Sequence, residues 1–313
     1  MTGRSIFAIA LALASVPLSA ANGDDPAPGA IGGAAGTGGY PAVAEVRAEA
    51  PQYTIYRPGT MPDEALPLVL WGNGACRDNG LSAAHFLREV ASHGYVVVAN
   101  GRARSERPAS RSVQPIPASA IPPPTRSADE TSVAGLLAGI DWAQAANSDP
   151  DSPFYGRIAT DRIAVLGHSC GGLQAIAAGT DPRIDTVIAL ASGVYVRERD
   201  GRSGVDVGKD DLARLQGPIA YILGGEEDIA YANGMDDFAR IDHVPVLAAS
   251  LPVGHGGTFS QFDGGDWARV SVHWLDWQLK NDANAGLWFI GENCRLCTTF
   301  GWDVVSKNMP ETP

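Results

Sequence analysis

Positive charge is scarce in this sequence. The 313 residues include 23 Lys and Arg against 35 Asp and Glu, which gives a formal net charge of −12. Nucleic acids and anionic membranes bind to basic surfaces, so a chain of this charge is a poor candidate for either. We therefore expect no nucleic acid as partner, and an uncharged ligand is easier to accommodate.

Cysteine is also scarce, and the common metal-binding motifs are missing. There are four cysteines, two of which form the C-x-x-C pair Cys294 and Cys297. Such a pair can be redox-active or half of a zinc site, but no second C-x-x-C, no suitably spaced histidine pair and no H-E-x-x-H accompanies it. We expect a structural disulfide there and no metal or other cofactor. Four cysteines allow three pairings, and the sequence does not choose among them.

Long apolar runs are missing apart from one near the start. Residues 6–16 are apolar, Arg4 precedes them, and small residues follow at 17–21. This pattern predicts a signal peptide over residues 1–21, which is too short to span a membrane. Residues 22–40, rich in Gly, Ala and Pro, are predicted to form a flexible leader, and residues 41–313 one large domain. The chain is therefore expected to be secreted or periplasmic, and its oligomeric state is not predicted.

Short apolar runs alternate with helical periodicity through the rest of the chain. Residues 53–58 are typical of an early antiparallel strand. Buried strands are predicted over 66–71, 95–99, 163–166, 184–191, 218–223 and 244–249, and helices over 82–92, 129–146, 172–178 and 267–279. This alternation favours an α/β fold with a mostly parallel central sheet and helices on both faces. Residues 102–127, rich in Arg, Ser and Pro, are predicted to be a long loop near a ligand site.

A G-x-S-x-G motif lies between one of these strands and the next helix. It reads Gly167-His-Ser-Cys-Gly171 and follows the apolar run 163–166. The order strand, tight turn, helix is the one that holds a nucleophilic serine on a strained turn above a sheet edge. Ser169 is therefore the candidate nucleophile. The alternative is an ordinary serine in a glycine-rich turn.

A nucleophilic serine needs a base, and the base needs a carboxylate that orients it. Of the six histidines, only His255 lies in a glycine-flanked loop after the last predicted strand of the parallel sheet. Asp228 follows the strand before it, beside Glu226 and Glu227, and a solvated acidic turn is the alternative at this point. The order Ser169, Asp228, His255 is the α/β-hydrolase order, and each residue follows a predicted strand. We expect all three at one rim of the sheet.

Two backbone N–H groups are predicted to bind the oxyanion of a tetrahedral intermediate. One belongs to Cys170, directly after the candidate nucleophile. The other belongs to Ala75, because Gly72 and Gly74 let the backbone bend there; a glycine-rich turn without a catalytic role is the alternative. If the two groups converge, Cys76 and Cys170 lie close enough for a disulfide. A free Cys76 thiol beside an apolar, buried Cys170 is the other possibility.

Five segments together resemble secreted α/β-hydrolases related to cutinase-like polyester hydrolases, chlorophyllases and dienelactone hydrolases. They are Trp71-Gly-Asn-Gly-Ala-Cys, Ala91-Ser-His-Gly-Tyr-Val-Val-Val, Gly167-His-Ser-Cys-Gly-Gly, Glu227-Asp-Ile-Ala and Gly254-His-Gly. The resemblance runs from about residue 53 to 279 and implies an oxyanion hole at Ala75 and Cys170. Two departures are that Ala75 replaces the aromatic residue usual in the cutinase-like enzymes, and that serine replaces the cysteine nucleophile of dienelactone hydrolases.

These observations predict a secreted serine hydrolase that cleaves small or polymeric carboxylic esters through an acyl-enzyme, with Ser169, His255 and Asp228 as catalytic residues. A peptidase or an acyltransferase could use the same residues, since the choice between water and an alcohol depends on whether the site excludes water. The alternative from another class is a non-catalytic binding protein with the same fold. Such a protein would most naturally have lost one of the three residues, and none is missing.

Overall fold

The computed structural model describes residues 29–104, 130–196 and 205–311. The predicted signal peptide, residues 1–21, lies outside these ranges, as do residues 22–28 of the predicted leader and 105–127 of the predicted proline-rich loop. Within the described ranges, no helix is both long and apolar enough to cross a lipid bilayer.

Ten strands of the described residues form one sheet. They are β1 (Gly29–Ala35), β2 (Ala42–Val46), β3 (Tyr53–Pro58), β4 (Leu66–Gly72), β5 (Val96–Asn100), β6 (Ile158–His168), β7 (Thr186–Leu190), β8 (Ile219–Leu223), β9 (Val246–Ser250) and β10 (Asp303–Lys307). Their order is β1-β2-β3-β5-β4-β6-β7-β8-β9-β10. The inner strands from β5 to β9 pair in parallel, and the strands outside them pair antiparallel. The prediction of a mostly parallel sheet is confirmed.

Helices pack on both faces of this sheet. They are α1 (Ala84–Ser92), α2 (Val133–Ser148), α3 (Cys170–Ala178), α4 (Tyr231–Arg240), α5 (Gly265–Lys280) and the short α6 (Ala283–Gly286). Side chains such as Phe86 and Trp274 pack on one face, and Ile140 and Ile176 pack on the other. Because both faces are covered, every residue of β4 and of β5 is buried, which explains the apolar runs at residues 66–71 and 96–99.

The predicted strand ends differ from the observed ones most at β6. This strand begins at Ile158 rather than at residue 163. Ile158 and Ala159 pair with Leu66 and Pro67, and the register then shifts before the pairing resumes at Ile163. The polar residues at this irregularity interrupt the apolar run in the sequence, so the run shows only the second half of the strand.

The predicted flexible leader, residues 22–40, contains a strand in the part that the structure describes. Gly29–Ala35 form β1, which pairs antiparallel with β2. Strand pairing uses backbone groups, so a segment of small residues can join a sheet edge although it buries little side-chain surface. Arg88 Nη2 also donates to the Ile31 carbonyl at 2.9 Å, and the Thr37 N–H donates to Glu89 at 2.7 Å. Both contacts fix the segment against α1.

Candidate active site

Ser169 lies on a sharp turn between β6 and α3. Its backbone has φ 53° and ψ −117°, a conformation that non-glycine residues rarely adopt and that the surrounding structure must hold in place. The Ser169 N–H donates to the Leu190 carbonyl at 3.0 Å, and the Ser192 hydroxyl donates to the Ser169 carbonyl at 2.8 Å. These bonds fix the turn to the end of β7, at the C-terminal edge of the sheet.

Glycines let this turn approach the neighbouring strand. A Cβ atom on Gly171 would lie 2.1 Å from the carbonyl carbon and oxygen of Gly72, at the end of β4. A Cβ atom on Gly74 would lie 2.6 Å from His168 Nδ1. Contacts this short leave no room for any side chain, which explains why glycines occur both in the serine turn and after β4.

The three predicted catalytic side chains form one chain of hydrogen bonds. His255 Nε2 lies 2.9 Å from Ser169 Oγ, and His255 Nδ1 lies 2.7 Å from Asp228 Oδ1. His255 is in the loop after β9, which the Gly254 N–H ties to the Gly224 carbonyl after β8 at 2.7 Å. The geometry suits transfer of the serine proton to the imidazole, with the carboxylate fixing the imidazole tautomer.

Asp228 is buried and both of its carboxylate oxygens accept hydrogen bonds, whereas its acidic neighbours are exposed. Its side chain is fully buried, while Glu226 and Glu227 are exposed. Burial by itself would raise the pKa of Asp228, but hydrogen bonds from His255 and from the N–H groups of Ala230 and Gly224 outweigh it and lower the pKa. The carboxylate is therefore ionised at neutral pH, as an orienting group requires. The alternative of a solvated acidic turn does not describe this residue.

Cys170 and Ala75, the predicted oxyanion-hole residues, are brought together by a disulfide. Cys76 and Cys170 are bonded, with Cα atoms 5.2 Å apart, so the turn after β4 and the turn at Ser169 are covalently joined. Ala75 has φ 54° and ψ 21°, again in the left-handed region, and it lines the same cleft as Ser169. This placement is compatible with two converging N–H donors, and their role stays a prediction. Cys294 and Cys297 form the second disulfide.

His168 also belongs to the site, although nothing in the sequence assigns it a role beyond its position in the motif. Its Nε2 lies 2.8 Å from the His255 carbonyl oxygen, and because a carbonyl can only accept, Nε2 carries the proton. Burial lowers the pKa of His168 to about 4, so the ring is neutral at neutral pH. The Phe259 ring packs edge-on against it at 4.9 Å. His168 therefore holds the backbone of His255 in position, and its only signal in the sequence is a polar residue ending a buried strand.

Ser169 and His255 line two spaces. The larger is a cleft of about 850 Å³, walled by the turn after β4, the start of α1 and the loop that follows His255. The smaller is a pocket of about 50 Å³, lined by residues that include Leu173, Ala191 and Ile229. Both spaces are therefore open to a ligand bound at Ser169.

No protein-family model matches the chain, and no curated protein sequence matches it either. Within the described ranges, no group of three or more His, Cys, Asp and Glu side chains is placed to hold a metal ion.

Proposed function

We propose that this protein is a secreted serine hydrolase of the α/β-hydrolase fold that cleaves carboxylic esters. The observation that carries the proposal is the continuous hydrogen-bonded chain from Ser169 Oγ through His255 to Asp228, with distances of 2.9 and 2.7 Å. Serine, acid and histidine follow one another along the chain as they do in that fold. The two disulfide bonds agree with export to an oxidising compartment, outside the cell or in the periplasm.

In the proposed reaction, Ser169 Oγ attacks the ester carbonyl carbon while His255 Nε2 takes the serine proton. The N–H groups of Ala75 and Cys170 stabilise the oxyanion, and Asp228 stabilises the imidazolium that forms. His255 then gives its proton to the alcohol as the ester bond breaks, which leaves an acyl-enzyme. A water molecule, deprotonated by His255, releases the acid and restores the serine.

Hydrolysis is favoured over the alternatives by two observations. Ala75 and His85 are exposed lining residues of the cleft, so water can reach an acyl-enzyme, and this argues for hydrolysis rather than transfer to an alcohol. A purely binding protein would need neither the strained backbone of Ser169 nor a buried carboxylate paired with His255. Ester rather than amide cleavage is proposed because an amide requires more help for its leaving group.

A fluorophosphonate probe tests the proposal directly. The wild type should be labelled at Ser169 and should hydrolyse p-nitrophenyl acetate, and Ser169→Ala should abolish both. Ser260→Ala is the matched control, because Ser260 is an exposed serine of the same cleft and contacts neither His255 nor Asp228 through a hydrogen bond. A folded wild type that neither labels nor turns over any ester would refute the proposal.

A further inference from the structure

Two arginines line the large cleft beside Ser169, although the chain as a whole carries a net charge of −12. Its lining includes Arg77 and Arg104 together with His85, and among the described lining residues there is no Asp or Glu. A cleft lined by one sign of charge concentrates ligands of the opposite sign. The charged side chains that line the cleft are therefore opposite in sign to the net charge of the chain, and they favour an anionic ligand.

Of the two arginines, Arg104 is already paired. Its guanidinium lies 2.8 Å from Asp78 Oδ2, and Asp78 also accepts the Arg102 N–H at 2.8 Å. Glu130 accepts the Asp78 N–H at 2.8 Å. Arg77 is exposed, and it forms no ion pair with a carboxylate in the described parts of the chain. Its positive charge is therefore available to a ligand.

The backbone of Arg77 is held at a fixed place relative to the nucleophile. Its carbonyl accepts a hydrogen bond at 3.1 Å from Nδ2 of Asn73, which is buried. The residue before it, Cys76, is bonded to Cys170, the residue after Ser169. Because consecutive Cα atoms are about 3.8 Å apart and the two cysteine Cα atoms 5.2 Å, the Cα atoms of Arg77 and Ser169 lie within about 13 Å.

We propose that the esters cleaved at this site carry a carboxylate or similar anionic group that binds Arg77 in the large cleft. A guanidinium presents parallel N–H groups that match a carboxylate, so it suits this recognition better than an ammonium would. The inference rests on the proposed ester hydrolysis and names its substrate class: half-esters of dicarboxylic acids, or acyl esters of hydroxy acids. Hydrolysis adds one water across the ester bond and releases an acid and an alcohol, one of which keeps the second charged group.

The test compares kcat/KM for matched anionic and neutral esters. With the charge on the acyl side, the pair is p-nitrophenyl hemisuccinate and its methyl ester; with the charge on the alcohol side, it is 4-acetoxybenzoate and its methyl ester. In Arg77→Gln, the ratio of anionic to neutral kcat/KM should fall by about 5-fold or more in at least one pair, mainly through KM. The readout is the ratio of anionic to neutral kcat/KM in the variant divided by the same ratio in the wild type, because the intrinsic reactivity of each ester is the same in both and cancels.

Two further variants separate recognition from a change in net charge. In Arg77→Lys, the ratio of anionic to neutral kcat/KM should lie between those of the wild type and Arg77→Gln, since lysine retains the positive charge. Arg214→Gln removes an exposed arginine that does not line the cleft, and it should leave the ratio unchanged. An Arg77→Gln ratio equal to that of the wild type in both pairs overturns the inference, whereas a wild type inactive on all four esters overturns the proposed function instead.

A measurement on the wild type covers the case in which Arg77→Gln does not fold. Raising NaCl from about 0.02 to 0.5 M shortens the screening length several-fold, so the ratio of anionic to neutral kcat/KM should fall in the pair that uses Arg77. A ratio independent of salt in both pairs would overturn the inference without any variant.

Discussion

Removing the Cys76–Cys170 disulfide should destabilise the fold and slow the chemistry at Ser169 together. The bond joins residues 94 positions apart, and the chain-entropy relation gives about 4.7 kcal/mol for a loop of roughly 100 residues. With an unfolding entropy of about 2.1 cal/mol/K per residue, a domain of about 250 residues loses roughly 9 °C in Tm for that change. The double variant Cys76→Ala/Cys170→Ala is the test.

The chain contains its own control for this experiment. The Cys294–Cys297 bond closes a loop of sequence separation 3, for which the same relation gives only about 2 kcal/mol, or roughly 4 °C. Cys294→Ala/Cys297→Ala therefore removes a disulfide without loosening the turn at Ser169. Calorimetry of the two double variants, beside the wild type, measures the difference in Tm.

The catalytic arm of the experiment distinguishes positioning from stability. Cys170→Ala keeps the backbone N–H, but without the bond nothing covalent holds Ala75 beside it. Losing one oxyanion donor costs about 10² to 10³ in kcat, so a loosened donor should cost about 10-fold or more, measured well below Tm. The control variant should keep its kcat. Equal Tm losses in the two double variants, or an unchanged kcat without the Cys76–Cys170 bond, would refute the reasoning.

Three further predictions concern residues around the same turn. Asp228→Asn should lower kcat on p-nitrophenyl acetate by about 10⁴ by favouring the wrong tautomer of His255, and a loss below tenfold would contradict this. The pKa of His168 is about 4 in the folded protein, against 6.5 for a free histidine, so folding stability that is present above pH 6.5 is lost on acidification toward pH 4, by roughly 3 kcal/mol. His168→Gln should therefore flatten the pH dependence of Tm over that range. An unchanged pH dependence would exclude His168 as its source. Gly171→Ala should prevent folding or lower the free energy of unfolding, measured by chemical denaturation, by several kcal/mol, because the added Cβ would collide with the backbone at the end of β4. The control Gly33→Ala has open space at its Cβ and should leave the free energy of unfolding nearly unchanged.

The buried strands could be predicted because burial on both faces leaves an uninterrupted apolar run, as in β4 and β5. Other elements gave no such signal. The helix α4 contains Gly234 and buries Asp237, and its stability depends on contacts such as the 2.8 Å bond from the Val194 N–H to Asp237. β10 is largely exposed, and only its pairing with β9 defines it as a strand. Elements of this kind depend on partners that are distant in the sequence.

The candidate site likewise has a part that the sequence predicts and a part that depends on the folded structure. The order of Ser169, Asp228 and His255 along the chain, each after an apolar run, was enough to expect them at one rim, and the structure places them within hydrogen-bond distance. The sequence does not decide the Cys76–Cys170 bond, because the direction of a Cβ vector depends on a turn whose φ and ψ the sequence does not specify. The contact of His168 cannot be predicted from the sequence for a related reason, since its partner is a backbone carbonyl, which every residue has.

The strand order has a consequence for how the protein acquires its site during folding. Ser169 and His255 are 86 positions apart and follow β6 and β9, which are joined only through β7 and β8. Each of these pairings is parallel and non-local, so each requires closure of a long loop before it contributes any contact. The Ser169–His255 pair therefore forms only after the whole run of strands has docked. With the proposed chemistry at Ser169, a serine-reactive probe added during refolding would count the molecules in which β6 to β9 have paired. Helix content measured on the same sample would rise earlier.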